Sequence, residues 1–192
     1  DTEQSRSLLQ TRPFYAEGTE FQIGEIRMVA NTGTYLDAPF HRFRDGADVS
    51  RLPLERLVGL EGVLVEAPEE AREGGRGVGE ALLAGLELDG RAVLIATGWS
   101  RRWGTEAYGE GHAFLTAAAA RRLAEAGAAL VGVDSLNVDD TEDPARPAHT
   151  ALLGAGIPIV ENLRGLGALA GRRFRFTAVP LRPPRGPRRA EV

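Results

Sequence analysis

The sequence predicts an α/β fold for its 192 residues, and three observations point there. Residues 91–97, Arg-Ala-Val-Leu-Ile-Ala-Thr, form an apolar run between Gly90 and Gly98, the pattern of a buried strand. Residues 115–126 carry a helical period: Ala117, Ala120, Leu123 and Ala124 share one face, Thr116 suits the N-cap, and Gly127 suits the position just past the end. A second apolar run, 128–133, follows at once and ends on Asp134, so that strand, helix and strand alternate.

The other elements are placed around these. Residues 21–30 alternate loosely and read as a strand leading into the segment 31–41. Residues 45–59 are mixed, with Pro53 at a helix start or turn. Residues 62–66 read as a short strand, and 68–79, with four glycines and several charges, as an exposed loop. A weak helix is expected over 78–86, and short strands over 157–160 and 174–179. No internal repeat or linker divides the chain. The expectation is one domain, 1–182, followed by a Pro- and Arg-rich tail, 183–192, that reads as disordered.

Composition removes several function classes. All 23 basic residues are arginine, so Schiff-base and P-loop lysine chemistry are excluded. Cysteine is absent, which removes disulfides, thiolate nucleophiles and Cys-based zinc sites. A net charge of −4 argues against a nucleic-acid partner. No apolar run approaches the roughly 20 residues that span a bilayer, so no membrane partner is expected. The first ten residues lack the apolar core of a signal peptide. The chain opens on Asp1 rather than Met, as a trimmed or processed product would. The expected compartment is the cytoplasm. A serine nucleophile is not expected, because no Gly-x-Ser-x-Gly elbow occurs.

Chemistry concentrates in two places. In an extended strand, Asn31, Gly33, Tyr35 and Asp37 share a face. Pro39 then ends regular pairing and swings His41 back toward Asp37. The second place joins His149, read as a loop residue, to Glu161, which closes an otherwise apolar strand. His112 follows a glycine pair and reads as a loop histidine or a substrate-side contact. Trp99 and Trp103 lie close after Gly98 and suit an aromatic pocket, the core or a subunit interface. Asp134, Ser135 and Asp139 read as structural strand-end residues.

The segment Asn31-Thr32-Gly33-Thr34-Tyr35-Leu36-Asp37-Ala38-Pro39-Phe40-His41 resembles the His-x-Gly-Thr-His-x-Asp-x-Pro-x-His signature of the cyclase family, which includes bacterial kynurenine formamidases and isatin hydrolases. Family-like segments follow in order: Thr97-Gly98-Trp99, residues 130–139, and His149 through Glu161 to Leu163. The resemblance spans residues 20–180. It implies a mixed β-sheet with flanking helices, of the swivelling β/β/α kind, and a homodimer or homotetramer. It also implies metal ligation by Asp37, His149 and Glu161, with His41 moving protons. The two signature histidines are replaced by Asn31 and Tyr35. An Asn carbonyl and a neutral phenol are poor zinc ligands, so the two-ion centre of the formamidases is not expected.

One divalent ion, Zn2+, Mn2+ or Mg2+, remains compatible with two carboxylates and one imidazole. The resulting expectation is an arylformamidase-like hydrolase of the kynurenine-pathway type. It would act on a small amide, a cyclic amide or a lactone, with His41 and Tyr35 catalytic and Asn31, Trp99 and Trp103 contacting the small-molecule substrate. Two alternatives stand beside it. One is a metal-free cyclase or lyase using His41 as base and Tyr35 as acid, and the other is a binding protein without catalysis.

Overall fold

The computed structural model describes Arg12–Phe14, Ile23–Glu25 and residues 28–181. The expected tail, 183–192, lies outside the described residues. Contacts divide the chain into two compact units, Asp1–Tyr35 and Leu36–Val192. In the first, β1 (Arg12–Phe14) pairs antiparallel with β2 (Ile23–Glu25). The strand expected over 21–30 is therefore shorter, and 28–30 lie outside any strand.

The larger unit is built on a six-stranded mixed sheet. In chain order its strands are β3 (Tyr35–Asp37, of which Leu36 and Asp37 belong to this unit), β4 (Leu60–Glu66), β6 (Ala92–Ala96), β8 (Leu130–Val133), β9 (Ile159–Glu161) and β10 (Arg175–Phe176). A separate parallel pair joins β5 (Gly77–Val78) to β7 (Phe114–Leu115). The sheet order is β10-β4-β6-β8-β9-β3. Strands β4, β6, β8 and β9 run parallel, and β10 lies antiparallel on β4. This is the mixed sheet with flanking helices that the family resemblance implies.

Alternation along the strands builds two cores. On one face Val93, Ile95, Val131, Val133 and Ile159 are buried with Ala119, Ala120 and Leu123 of α1 (Ala117–Glu125) and Ala148, Leu152 and Leu153 of α2 (Pro147–Gly154). On the other, Ala92, Leu94, Leu130 and Val160 pack against Leu52, Leu57, Leu163 and Leu166. Gly132 sits where this second layer is tightest. A Cβ there would lie 2.6 Å from Leu163 Cδ1 and 2.8 Å from Leu94 Cδ2.

Thr116 caps α1 as expected, accepting from the Ala119 amide at 3.2 Å, and Gly127 follows at φ +75°. Several expectations are corrected. Residues 31–34 are bends, with Gly33 at φ +69°, so the alternation through Asp37 does not reach back to Asn31. The weak helix over 78–86 is a short 3-10 turn, Glu80–Leu83. The loop 68–79 contains the buried Gly77 and Val78 of β5. Residues 45–59 hold two 3-10 turns, and Pro53 leads the second. Among the described residues, no helix is long and apolar enough to cross a membrane.

Candidate metal centre

Three segments of the larger unit deliver the site residues. Asp37 ends β3 and is buried. Ala38 and Pro39 then turn the chain into a 3-10 helix, Pro39–His41, which returns His41 over Asp37. The His41 Nδ1 lies 3.4 Å from Asp37 Oδ1, with the His41 side chain 47% exposed. The loop beyond closes on itself, with the Phe40 amide donating to Ala47 O at 3.0 Å and the Gly46 amide to Phe43 O at 2.9 Å.

His149 is a helical residue, which corrects the loop expectation. Pro147 stands in the first turn of α2, where its missing N–H costs nothing. The Asp139 carboxylate takes the next two orphan donors, the amides of Ala148 at 2.6 Å and His149 at 3.0 Å. Ala148, Leu152 and Leu153 then bury the helix against the sheet. The signal is hard to read in sequence because the capping group lies nine residues before the first amide it caps.

The His149 ring projects from this first turn into a buried cluster of carboxyl groups. Its Nδ1 lies 2.7 Å from Asp139 Oδ2. Its Nε2 faces Asp37 Oδ2 at 3.7 Å and Glu161 Oε1 at 3.6 Å. Glu161 ends β9, is fully buried, and accepts from the Val138 amide at 2.7 Å. The rings of His41 and His149 are 5.6 Å apart between centroids. Among the described residues, Asp37, His41 and His149 offer ligand atoms that all lie within 4.8 Å of one another.

The donor set fits a divalent cation. His149 Nε2 is buried and has no hydrogen-bond partner. Its separations from Asp37 and Glu161 are too long for hydrogen bonds. They are of the size two donors keep when each sits about 2.1 Å from a shared ion. Three buried carboxyl groups around one imidazole also concentrate negative charge that burial penalises unless a cation accompanies it. Without an ion, a proton takes that part. Burial alone lowers the pKa of His149, but the hydrogen bond to Asp139, the Asp37 carboxylate facing Nε2 and the charges of Glu161 and Asp139 outweigh it and raise the value to about 9.

With this geometry in view, residues 5–140 match a family model described as "Putative cyclase". The chain belongs to the cyclase family. This cyclase-family chain is 32% identical over 166 residues to a kynurenine formamidase of Bacillus cereus, covering 86% of its own length and 75% of that protein's. It is 31% identical over 175 residues to one from Geobacillus thermodenitrificans, covering 90% and 78%. Among solved structures it is similar to isatin hydrolase A from Labrenzia aggregata bound to benzyl benzoate, with a TM-score of 0.79 and 25% identity over 92% of this chain and 78% of that one. A structure described as a potential metal-dependent hydrolase with cyclase activity aligns with a TM-score of 0.73 and 28% identity, covering 91% and 80%.

The remaining candidates of this cyclase-family chain fall as follows. Asn31 is exposed in the bend, and Tyr35 is a half-buried residue at the start of β3. Trp99 is buried and donates from Nε1 to Tyr108 O at 3.0 Å. Trp103, partly exposed, sets its ring edge against Tyr108, with centroids 5.1 Å apart. Tyr108 in turn donates from its hydroxyl to Asn162 Oδ1 at 2.6 Å, beside Glu161. Asn162 holds φ +58°, a conformation Asn tolerates better than most residues. His112 lies in a loop, as expected, but is fully buried, and its Nε2 contacts Asp139 O at 2.9 Å. Asp134 is structural as expected, accepting from Thr97 N at 2.8 Å, Thr97 Oγ1 at 2.6 Å and Gly98 N at 2.9 Å. Asp139 has a larger part than its sequence context suggests, and only its tertiary placement against the first turn of α2 reveals it.

Proposed function

We propose that this chain is a metal-dependent hydrolase that cleaves the carbon–nitrogen bond of a small aryl amide or cyclic amide. The observation that carries the reading is the buried, unpartnered Nε2 of His149 facing Asp37 and Glu161. Asp37, His149 and Glu161 would hold the ion. Bound there, a divalent cation supplies Lewis acidity toward a carbonyl oxygen and toward water. The number of ions is read as one, because Asn31 and Tyr35 stand where the family signature carries imidazoles. The formamidase and isatin hydrolase relatives support a substrate of the N-formylkynurenine or isatin kind.

His41 is the proton carrier of the proposal. It is exposed enough to reach substrate, and Asp37 beside its Nδ1 orients the ring. It takes a proton from the attacking water and returns it to the leaving nitrogen. Trp103 and Tyr108, the latter hydrogen-bonded to Asn162 next to Glu161, offer an aromatic surface for an aryl group. The test is metal content together with hydrolysis of N-formylkynurenine and isatin by the purified protein. Turnover lost on chelation and restored by Zn2+ or Mn2+ supports the reading. Turnover indifferent to strong chelation contradicts it, and favours a metal-free use of His41.

A further inference from the structure

We infer that residues 137–139 form one bracket that orients both Glu161 and His149, with Asp139 fixing the His149 ring in the Nδ1–H form so that Nε2 presents its lone pair to a cation. The inference rests on the metal reading above and names the residues that set the geometry of that site.

The bracket works through two consecutive residues. The Val138 amide donates to Glu161 Oε1 at 2.7 Å. The Asp139 carboxylate, next in the chain, meets three donors with its two oxygens. Oδ1 takes the Ala148 amide at 2.6 Å, and Oδ2 takes both the His149 amide at 3.0 Å and the His149 ring at Nδ1 at 2.7 Å. An ionised carboxylate only accepts, so Nδ1 carries the hydrogen. A neutral imidazole has one ring proton, so Nε2 is left as the lone-pair atom. That atom is the one that faces Asp37 and Glu161. Two side chains from different elements, α2 and β9, are thus referenced to adjacent residues of a single loop.

The bracket is itself held from several sides. The Asp139 amide donates to Asn137 Oδ1 at 2.9 Å, and the Leu115 amide donates to Val138 O at 2.8 Å. His112, fully buried, donates from Nε2 to the Asp139 carbonyl at 2.9 Å. Arg76 closes the outside, donating from Nε to His112 O at 3.2 Å and pairing with Asp140 at 2.8 Å. Asp139 and His112 touch no reacting atom in this arrangement. They are positioning residues, and a carboxylate behind a ligating imidazole both orients the ring and strengthens it as a ligand.

The test uses the full chain labelled with 15N in its histidines, without metal and titrated with Zn2+. In the wild type the neutral His149 ring, read at a pH above its deprotonation, shows the Nδ1–H form. Asp139→Ala admits the Nε2–H form, and both Asp139→Ala and Asp139→Asn lower Zn2+ affinity about 10–100-fold. Asp139→Asn keeps the side-chain shape, so it decides the matter if the alanine variant fails to fold. A wild-type ring in the Nε2–H form overturns the inference. So does a folded Asp139 variant that holds Zn2+ within about twofold of the wild type. If the wild type binds no divalent ion, the metal reading fails, while the ring form still decides the part played by Asp139.

Discussion

His149 meets a carboxylate at each ring nitrogen, Asp139 at 2.7 Å on one side and Asp37 at 3.7 Å on the other, and this sets its behaviour with and without an ion. Its pKa in the metal-free protein, about 9, lies above the ordinary 6.5 of the unfolded chain. A raised value means that the folded state binds the proton more tightly. The contribution to stability, a few kcal/mol, is therefore complete below about pH 6.5, declines between 6.5 and 9, and is gone above. Thermal melts of metal-free wild type and His149→Gln across this range should converge as pH rises. The same proton competes with a cation, so Zn2+ binding should tighten as pH rises toward 9. His41→Ala separates proton transfer from ligation: it should leave bound metal in place and lower kcat by about 10²–10⁴-fold. Loss of the ion together with activity would make His41 a ligand instead, an assignment its place within the 4.8 Å cluster also permits.

At the scale of elements, the turns carry the most exposed predictions. Gly46 lies against the backbone of the turn that bears His41. A Cβ there would stand 2.6 Å from Pro39 C and 2.8 Å from Phe40 N. Backbone cannot rotate away as a side chain can, so Gly46→Ala should shift this turn, lowering kcat/KM more than about tenfold and stability by about 1–3 kcal/mol. Asp134→Ala should cost about 2–4 kcal/mol in denaturant unfolding, because the Thr97 and Gly98 amides and the Thr97 hydroxyl lose their acceptor at a buried strand end. Elements also mark where sequence is readable. Strands β6 and β8 and helix α1 announce themselves through local apolar period and caps. Helix α2 does not, since its cap comes from Asp139 across a turn, and its length is only eight residues. The bends at 31–34 hide for a related reason: Gly33 breaks an alternation that looks continuous on paper.

Across the larger unit, the sheet order β10-β4-β6-β8-β9-β3 places Asp37 and Glu161 on neighbouring strands at one side of the sheet, though their positions in the chain lie far apart. No local pattern encodes that neighbourhood. The sequence exposed Asp37, His41, His149 and Glu161 as candidates through the resemblance of short segments. The resemblance implied a ligand set but not the support behind it, so Asp139 and His112 became visible only once the loop 137–139 was seen against α2 and β9. On the proposed reading, a cation at Asp37, His149 and Glu161 would bind the folded chain and not the unfolded one, so saturating Zn2+ at about 100 times its Kd should stabilise the protein by about 2.7 kcal/mol. The most direct measurement is elemental analysis of freshly purified wild type and His149→Ala. Wild type should carry about one divalent ion per chain and the variant only traces. Trace metal in both, with turnover of N-formylkynurenine or isatin intact, would contradict a metal centre at His149.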